Sequence, residues 1–226
     1  GGTDTMNTTD AELVALFDGL DTPGVSDAMD KLGIRGQCLG ISPLDNYAHT
    51  VVGPAFTVRY VPCGQPAGTV GDFIDDVTPG DVVVIDNGSR TDCTVWGDIM
   101  TQYAGLRGIA ATVIDGVCRD VAKALGGGYP MFTRGRFMRT GKDRVEVAAV
   151  NQPVSIGTAR VCSRDIVVAD ANGVVVVPRA RAREVAQTAR HIEDAESRIR
   201  ELISSGMTLG DARKSMGYHQ LQTRSS

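Results

Sequence analysis

The sequence predicts an α/β domain with parallel central strands, and three consecutive stretches carry that expectation. Residues 81–86 (Asp-Val-Val-Val-Ile-Asp) are a β-branched run introduced by Pro79-Gly80, the pattern of a strand buried on both faces. Residues 98–107 hold few β-branched residues and stop at Gly108, as a helix ended by glycine does. Residues 109–115 (Ile-Ala-Ala-Thr-Val-Ile-Asp) form a second apolar run closed by Gly116. Strand, helix and strand in that order imply parallel pairing through a right-handed crossover.

The remaining elements follow from local patterns. Residues 9–20 read as a first helix, capped by Thr9 or Asp10, with Leu13, Leu16 and Phe17 on one face. Asp21-Thr22-Pro23 opens a second helix, with proline in its first turn, and Gly33 ends it. Val51 to Val61 is strand-like but interrupted by Gly53-Pro54, and residues 70–77 suit a short helix. Ala122 to Leu125 suits one helical turn, Gly126-Gly127-Gly128 flexible or closely packed backbone, and 129–144, rich in Arg and Gly, a loop. Short β runs follow at 145–150, 153–156, 160–163, 166–169 and 173–177, separated by turn signals such as Asn172-Gly173. Residues 180–205 form a long helix whose Val185, Ile192 and Ile199 recur every seven residues, a stripe that packs on its own sheet or on another subunit. One domain over 9–210 is expected, with residues 1–8 as a tag remnant or disordered start and 211–226 as a polar C-terminal tail.

Bulk properties narrow the function. The 226 residues, 42% of them hydrophobic, suffice for one well-buried core. A net charge of −4 gives no electrostatic footprint for nucleic acid or an anionic membrane, and no apolar run reaches the length of a membrane span. The five cysteines (Cys38, Cys63, Cys93, Cys118, Cys162) are scattered and form no C-x-x-C pair, which points to a reducing, cytoplasmic setting and away from a thiolate zinc site. Cys118 stands beside Arg119, a neighbour that lowers thiol pKa, but a small buried residue is its commoner role.

The chemistry-bearing pattern is Asp98, twenty intervening residues, then Arg119-Asp120. In a strand–helix–strand unit the helix N-terminus and the loop after the second strand share the carboxyl edge of the sheet, where α/β proteins bind ligands. Asp98 would begin the helix; Arg119 and Asp120 would lie on the loop. Asp98 alone could simply cap its helix. Two carboxylates and a guanidinium converging are better suited to holding a divalent cation and a small anion. Oxygen ligands favour Mg²⁺ or Mn²⁺, with Asp120 binding directly and Asp98 acting through water. The amides of Ile99 and Met100, free at the helix start, would receive a substrate carboxylate. His49, His191 and His219 are too dispersed for a histidine-based site, and no phosphate-binding glycine loop is present.

These residues resemble the RraA-like family, which includes the 4-hydroxy-4-methyl-2-oxoglutarate / 4-carboxy-4-hydroxy-2-oxoadipate aldolases. Residues 23–33 (P-G-V-S-D-A-M-D-K-L-G), 52–59 (V-G-P-A-F-T-V-R), 79–84, Trp96-Gly97-Asp98, Arg107-Gly108, 113–120, 165–170 and 173–178 carry the likeness. The resemblance implies a swivelling β/β/α domain with N-terminal helices and a long C-terminal helix. It also implies trimers or hexamers with sites near subunit interfaces. The aldolase branch carries D-x20-R-D, kept here, whereas the branch that regulates ribonuclease E lacks the full set. The implied activity is class II pyruvate aldolase: Asp120 holds Mg²⁺ or Mn²⁺, Asp98 and Arg119 are catalytic, and a 4-hydroxy-2-oxo acid is cleaved to pyruvate and a second oxo acid. Oxaloacetate decarboxylation is an expected side activity. A glutamate from a neighbour's C-terminal helix completes the implied site; Glu196 matches it, with Glu193 competing. A lyase or decarboxylase acting on another 2-oxo acid, and a non-catalytic ribonuclease E regulator, are the alternatives. The chain departs from the family at Thr158-Ala159 and Ser163-Arg164, where glycine pairs or Pro-Gly are usual, and its segments 87–95 and 134–144 are individual.

Overall fold

The structure, a computed structural model, describes residues 8–217; residues 1–7 of the expected start (1–8) and 218–226 of the expected tail (211–226) lie outside the described residues. Helix α1 (Thr8–Ala15) is shorter than the predicted 9–20, because the chain turns through tight Val14–Phe17 and Phe17–Leu20 bonds and reaches Gly19 at φ 75°. Asp10 is not its cap: it lies inside the helix, 1% exposed, in ion pairs with Arg164 and Arg179. Helix α2 (Thr22–Leu32) follows the predicted bounds, with the Asp21 carboxylate accepting from the Gly24 amide and Gly33 closing it in the left-handed region.

Strand β1 (Ser42–Pro43) is a two-residue edge, and β2 (Val51–Pro62) runs unbroken through Gly53-Pro54. The expected interruption is instead a change of partner: residues 51–54 pair antiparallel with β10 (Ile166–Asp170), and residues 55–59 pair parallel with β3 (Val82–Thr94). Gly53 permits that switch, since a Cβ there would come within 2.4 Å of the Gly80 carbonyl. A short 3₁₀ turn at Asp72–Asp76 precedes β3. Strand β3 continues well past residue 86, with register shifts around Arg90, so residues 88–94 are irregular strand. Helix α3 (Asp98–Leu106) and β4 (Ala111–Cys118) complete the predicted parallel crossover, although β4 passes through Gly116 to Cys118.

Helix α4 (Val121–Gly127) is followed by β5 (Met131–Thr133) and β6 (Gly135–Arg136), both pairing with β4 where a loop was predicted. Then come β7 (Val145–Val150), the hairpin β8 (Val154–Ile156) and β9 (Ala159–Val161), then β10 and β11 (Gly173–Val177). Helix α5 (Ala182–Ser204) buries Val185, Ile192 and Ile199, and α6 (Leu209–Met216) occupies the beginning of the expected tail.

The main sheet runs β1-β5-β4-β3-β2-β10-β11, with β6 on β4 and β7 on β2. A bridge from Gln37 to Val175 on β11 brings its two ends near one another, giving a nearly closed barrel. Both sheet faces are covered, which explains the continuous apolar runs. Val83, Ile85 and Ile114 pack toward α3 with Trp96 and Ala104, while Val82, Val84 and Val113 pack toward the β8–β9 hairpin with Val154 and Ile156. A further core joins α1, α2 and α5 to β10 and β11. No helix among the described residues is long and apolar enough to cross a membrane.

Candidate active site

Strand β4 delivers Cys118, and the chain then leaves the sheet. The Arg119 amide donates to the Trp96 carbonyl at 3.1 Å, tying this loop to the residue before Gly97. Asp120 occupies the left-handed region (φ 57°, ψ 39°) at the cap position of α4, yet its carboxylate does not cap that helix. Its Oδ2 instead accepts from the Asp98 amide at 3.1 Å, closing the start of α3, which has no side-chain cap of its own. Gly97 makes this approach possible: a Cβ there would lie 3.0 Å from Asp120 Oδ2 and 3.5 Å from Arg119 Nε. The helix start is braced further, as Trp96 Nε1 donates to Thr101 Oγ1 at 2.9 Å and the indole stacks on Tyr129.

The sheet edge thus gathers Asp98, Ile99, Met100, Arg119 and Asp120. A cavity of 220 Å³ is lined by Trp96, Asp98, Ile99, Met100, Arg119 and Thr140, among others. A second, of 300 Å³, is lined by Arg119, Asp120, Val121, Arg136, Phe137 and Met138. Arg119 borders both. Its Nε lies 4.0 Å from Asp120 Oδ2, and each side chain is 42% exposed, so this pair contributes little to stability. Apart from the Asp98 amide on Asp120 Oδ2, neither charged group is held by another side chain at hydrogen-bond distance among the described residues. Helix geometry also leaves the Ile99 and Met100 amides without intrahelical partners.

Glu196 is elsewhere. It lies on α5, receives Arg200 Nη2 at 3.5 Å and lines neither cavity; Glu193 receives the same guanidinium at 3.3 Å. Within one chain neither glutamate joins the Asp98–Arg119–Asp120 edge. Asp115, four residues before Arg119, is buried and bound to Arg134, Ser89 Oγ (2.8 Å) and the Gly157 amide (2.7 Å). The Cys118 thiol is pushed up to about 11, chiefly by burial, so it is no thiolate at neutral pH.

The donors on offer at the edge are carboxylate oxygens. Among the described residues no group of three or more His, Cys, Asp or Glu could hold a metal ion, and His49 and His191 are exposed. One half-exposed carboxylate, joined to the Asp98 backbone amide, matches a hard cation that keeps most of its water, the habit of Mg²⁺ and Mn²⁺.

Sequence reading missed Gly97 and the stretch Arg136–Met138. Gly97 was legible only as part of a motif. Arg136 reaches the edge because β6 pairs with β4, setting Arg136 opposite Cys118, and two-residue strands leave no periodic signal.

Residues 22–176 match the RraA-like family, described as Aldolase/RraA. The chain belongs to this family. It is 40% identical over 199 residues to protein DlpA of Legionella pneumophila, covering 87% of this chain but only 32% of that longer relative. It is 32% identical over 207 residues to a Halalkalibacterium halodurans protein provisionally named 4-hydroxy-4-methyl-2-oxoglutarate aldolase, covering 90% of this chain and 95% of the relative. Among solved structures, an uncharacterised Pseudomonas syringae protein superposes with a TM-score of 0.83 at 44% identity (90% and 97% of the two chains). Streptomyces coelicolor RraAS2, described as an unusual member of the RNase ES inhibitor RraA family, superposes with a TM-score of 0.77 at 28% identity (85% and 98%).

Proposed function

We propose that the chain is a divalent-metal-dependent lyase, a class II pyruvate aldolase. It cleaves a 4-hydroxy-2-oxo acid such as 4-hydroxy-4-methyl-2-oxoglutarate to pyruvate and a second oxo acid, and decarboxylates oxaloacetate as a side reaction. The observation that carries this reading is the meeting of the Asp120 carboxylate, the Asp98 amide and the Arg119 guanidinium around Gly97, at two cavities that share Arg119. The names of several relatives support the aldolase reading at the level of reaction class.

Asp120 holds the cation, Mg²⁺ or Mn²⁺, with Asp98 beside it. When bound, that cation supplies Lewis acidity at the 2-keto oxygen, where charge develops as the carbon–carbon bond breaks. The Ile99 and Met100 amides receive the substrate's carboxylate at the positive end of α3. Arg119 places its guanidinium against the developing enolate oxygen. Asp98 orients the water that takes the proton from the 4-hydroxyl. The active unit is a homotrimer or hexamer in the cytoplasm, with Glu196 reaching the site of a second copy of the chain.

Pyruvate release from oxaloacetate and from a 4-hydroxy-2-oxo acid, with and without EDTA, tests the proposal. Release abolished by EDTA and restored by Mg²⁺ or Mn²⁺ is expected; EDTA-insensitive release would remove the metal from the reading. Arg119→Lys should lower kcat about 100-fold, because an ammonium cannot reproduce the planar fork. The likeness to RraAS2 favours a second reading, a non-catalytic ribonuclease regulator. No pyruvate from any 2-oxo acid under these conditions, with ribonuclease E inhibited, would select it.

A further inference from the structure

Arg136 is a cation that the reaction above leaves unused. Strand β6 sets it opposite Cys118 on β4, two residues before Asp120, and the Phe137 amide donates to the Cys118 carbonyl at 3.0 Å. Its backbone is therefore fixed by the same strand that presents Arg119 and Asp120. Its side chain lines the 300 Å³ cavity with both of them, and no hydrogen bond or ion pair engages the guanidinium among the described residues. By contrast, Arg134, two residues earlier, is held by Asp115. Burial is not what keeps Arg136 unpaired, since the residue is exposed at the cavity rim. Arg119 lines both this cavity and the one at the start of α3, so a molecule lying against Arg119 can reach into each.

We infer that Arg136 determines substrate class by binding the distal carboxylate of a dicarboxylic 4-hydroxy-2-oxo acid. This rests on the aldolase reading. The 2-oxo acid end lies toward the Ile99 and Met100 amides, and the remote carboxylate enters the cavity walled by Phe137 and Met138. A guanidinium offers that carboxylate two parallel hydrogen bonds. Arg136 is a specificity-determining residue, because it touches the end of the substrate that does not react.

The test compares wild type, Arg136→Met and Arg136→Lys in two measurements. The first is kcat/KM in Mg²⁺ for 4-hydroxy-4-methyl-2-oxoglutarate and for 4-hydroxy-2-oxopentanoate, which lacks the second carboxylate. Arg136→Met should lower the dicarboxylate value about 10- to 100-fold, mainly through KM, and change the monocarboxylate value less than about threefold. Arg136→Lys should recover part of the loss. The second is calorimetric binding of 2-oxoglutarate against 2-oxobutyrate, which needs no turnover: Arg136→Met should weaken only the former, by about tenfold or more. Equal losses for both members of either pair, or no loss, would overturn the assignment, as would the same discrimination appearing in Lys123→Met, a cation in the neighbouring groove between α3 and α4. If wild type releases no pyruvate from either substrate, the aldolase reading itself fails, and Arg136 fails with it. Activity with both substrates but no discrimination by Arg136 leaves the aldolase reading standing alone.

Discussion

Two Asp–Arg clusters sit at opposite ends of the same parallel strands, and they differ in almost every physical respect. At the amino end of β3, Arg164 bonds Asp10 and reaches Asp81 Oδ1 at 3.0 Å, while Arg179 reaches Asp10 Oδ1 at 2.7 Å. Both carboxylates are 1% exposed, and each has a cation against it. At the carboxyl end, Arg119 and Asp120 stand 4.0 Å apart, both 42% exposed, above cavities. Each cluster holds a residue in the left-handed region, Arg164 at φ 69° and Asp120 at φ 57°. The first spends its charges on holding α1, the β3 turn and the β9–β10 turn together. The second leaves its charges half-exposed at a cavity rim. Burial and pairing, more than residue type, separate a structural ion cluster from a candidate site.

Breaking either cluster should therefore have opposite consequences. Asp120→Asn keeps an acceptor for the Asp98 amide and tolerates the left-handed backbone, but loses the charge. Its kcat should fall at least about 1000-fold while the melting temperature moves by no more than roughly 2 °C. A near-normal kcat would sink the assignment of Asp120 as the metal ligand. Arg164→Gly relieves the backbone strain and leaves two buried carboxylates short of a cation. Stability should fall by about 3–5 kcal/mol in urea unfolding, with kcat per folded molecule unchanged. A loss of activity without a loss of stability would erase the contrast between the two ends.

The sequence foretold the carboxyl end better than the amino end. A β-branched run, a helix stopped by glycine and a second apolar run are local signals, and they place Asp98, Arg119 and Asp120 at one edge through the handedness of the crossover. The Asp10–Arg164–Asp81 cluster joins residues more than 70 positions apart, and no local pattern announces it. Ser163-Arg164 reads as a changed turn. In the fold that turn aims a guanidinium into a buried acid pair. The same limit hid β5 and β6, whose two or three residues are strands only because distant strands lie alongside, β1 and β4 for β5 and β4 for β6. Residues 88–94 look like loop because Gly88-Ser89 breaks the apolar run, yet pairing with β4 carries them on as irregular strand. Glu196 came from resemblance alone, and a single chain does not bring it to the edge.

A smaller effect sharpens the geometry at the carboxyl end. Gly97→Ala puts a methyl group 3.0 Å from the oxygen that holds the Asp98 amide. The carboxylate must move by tenths of an ångström, which should lower kcat/KM about tenfold with little change in stability. Unchanged kinetics would mean that the position of Asp120 is not critical.

The smallest effect concerns Cys118, one residue before the cluster. Arg119 follows it in sequence and Arg136 lies opposite it, and both would favour a thiolate if proximity decided reactivity. Burial decides instead. The thiol is 1% exposed, and loss of solvation raises its pKa to about 11, outweighing the lowering by Thr133 and Arg136. At pH 8 a thiol of that pKa is about 0.1% thiolate. Iodoacetamide at pH 8 should therefore modify the half-buried Cys63 and Cys162 while leaving Cys118 unmodified by mass spectrometry of the native protein. Rapid alkylation of Cys118 with concurrent loss of activity would place a nucleophile at the edge that the two carboxylates and the guanidinium otherwise define.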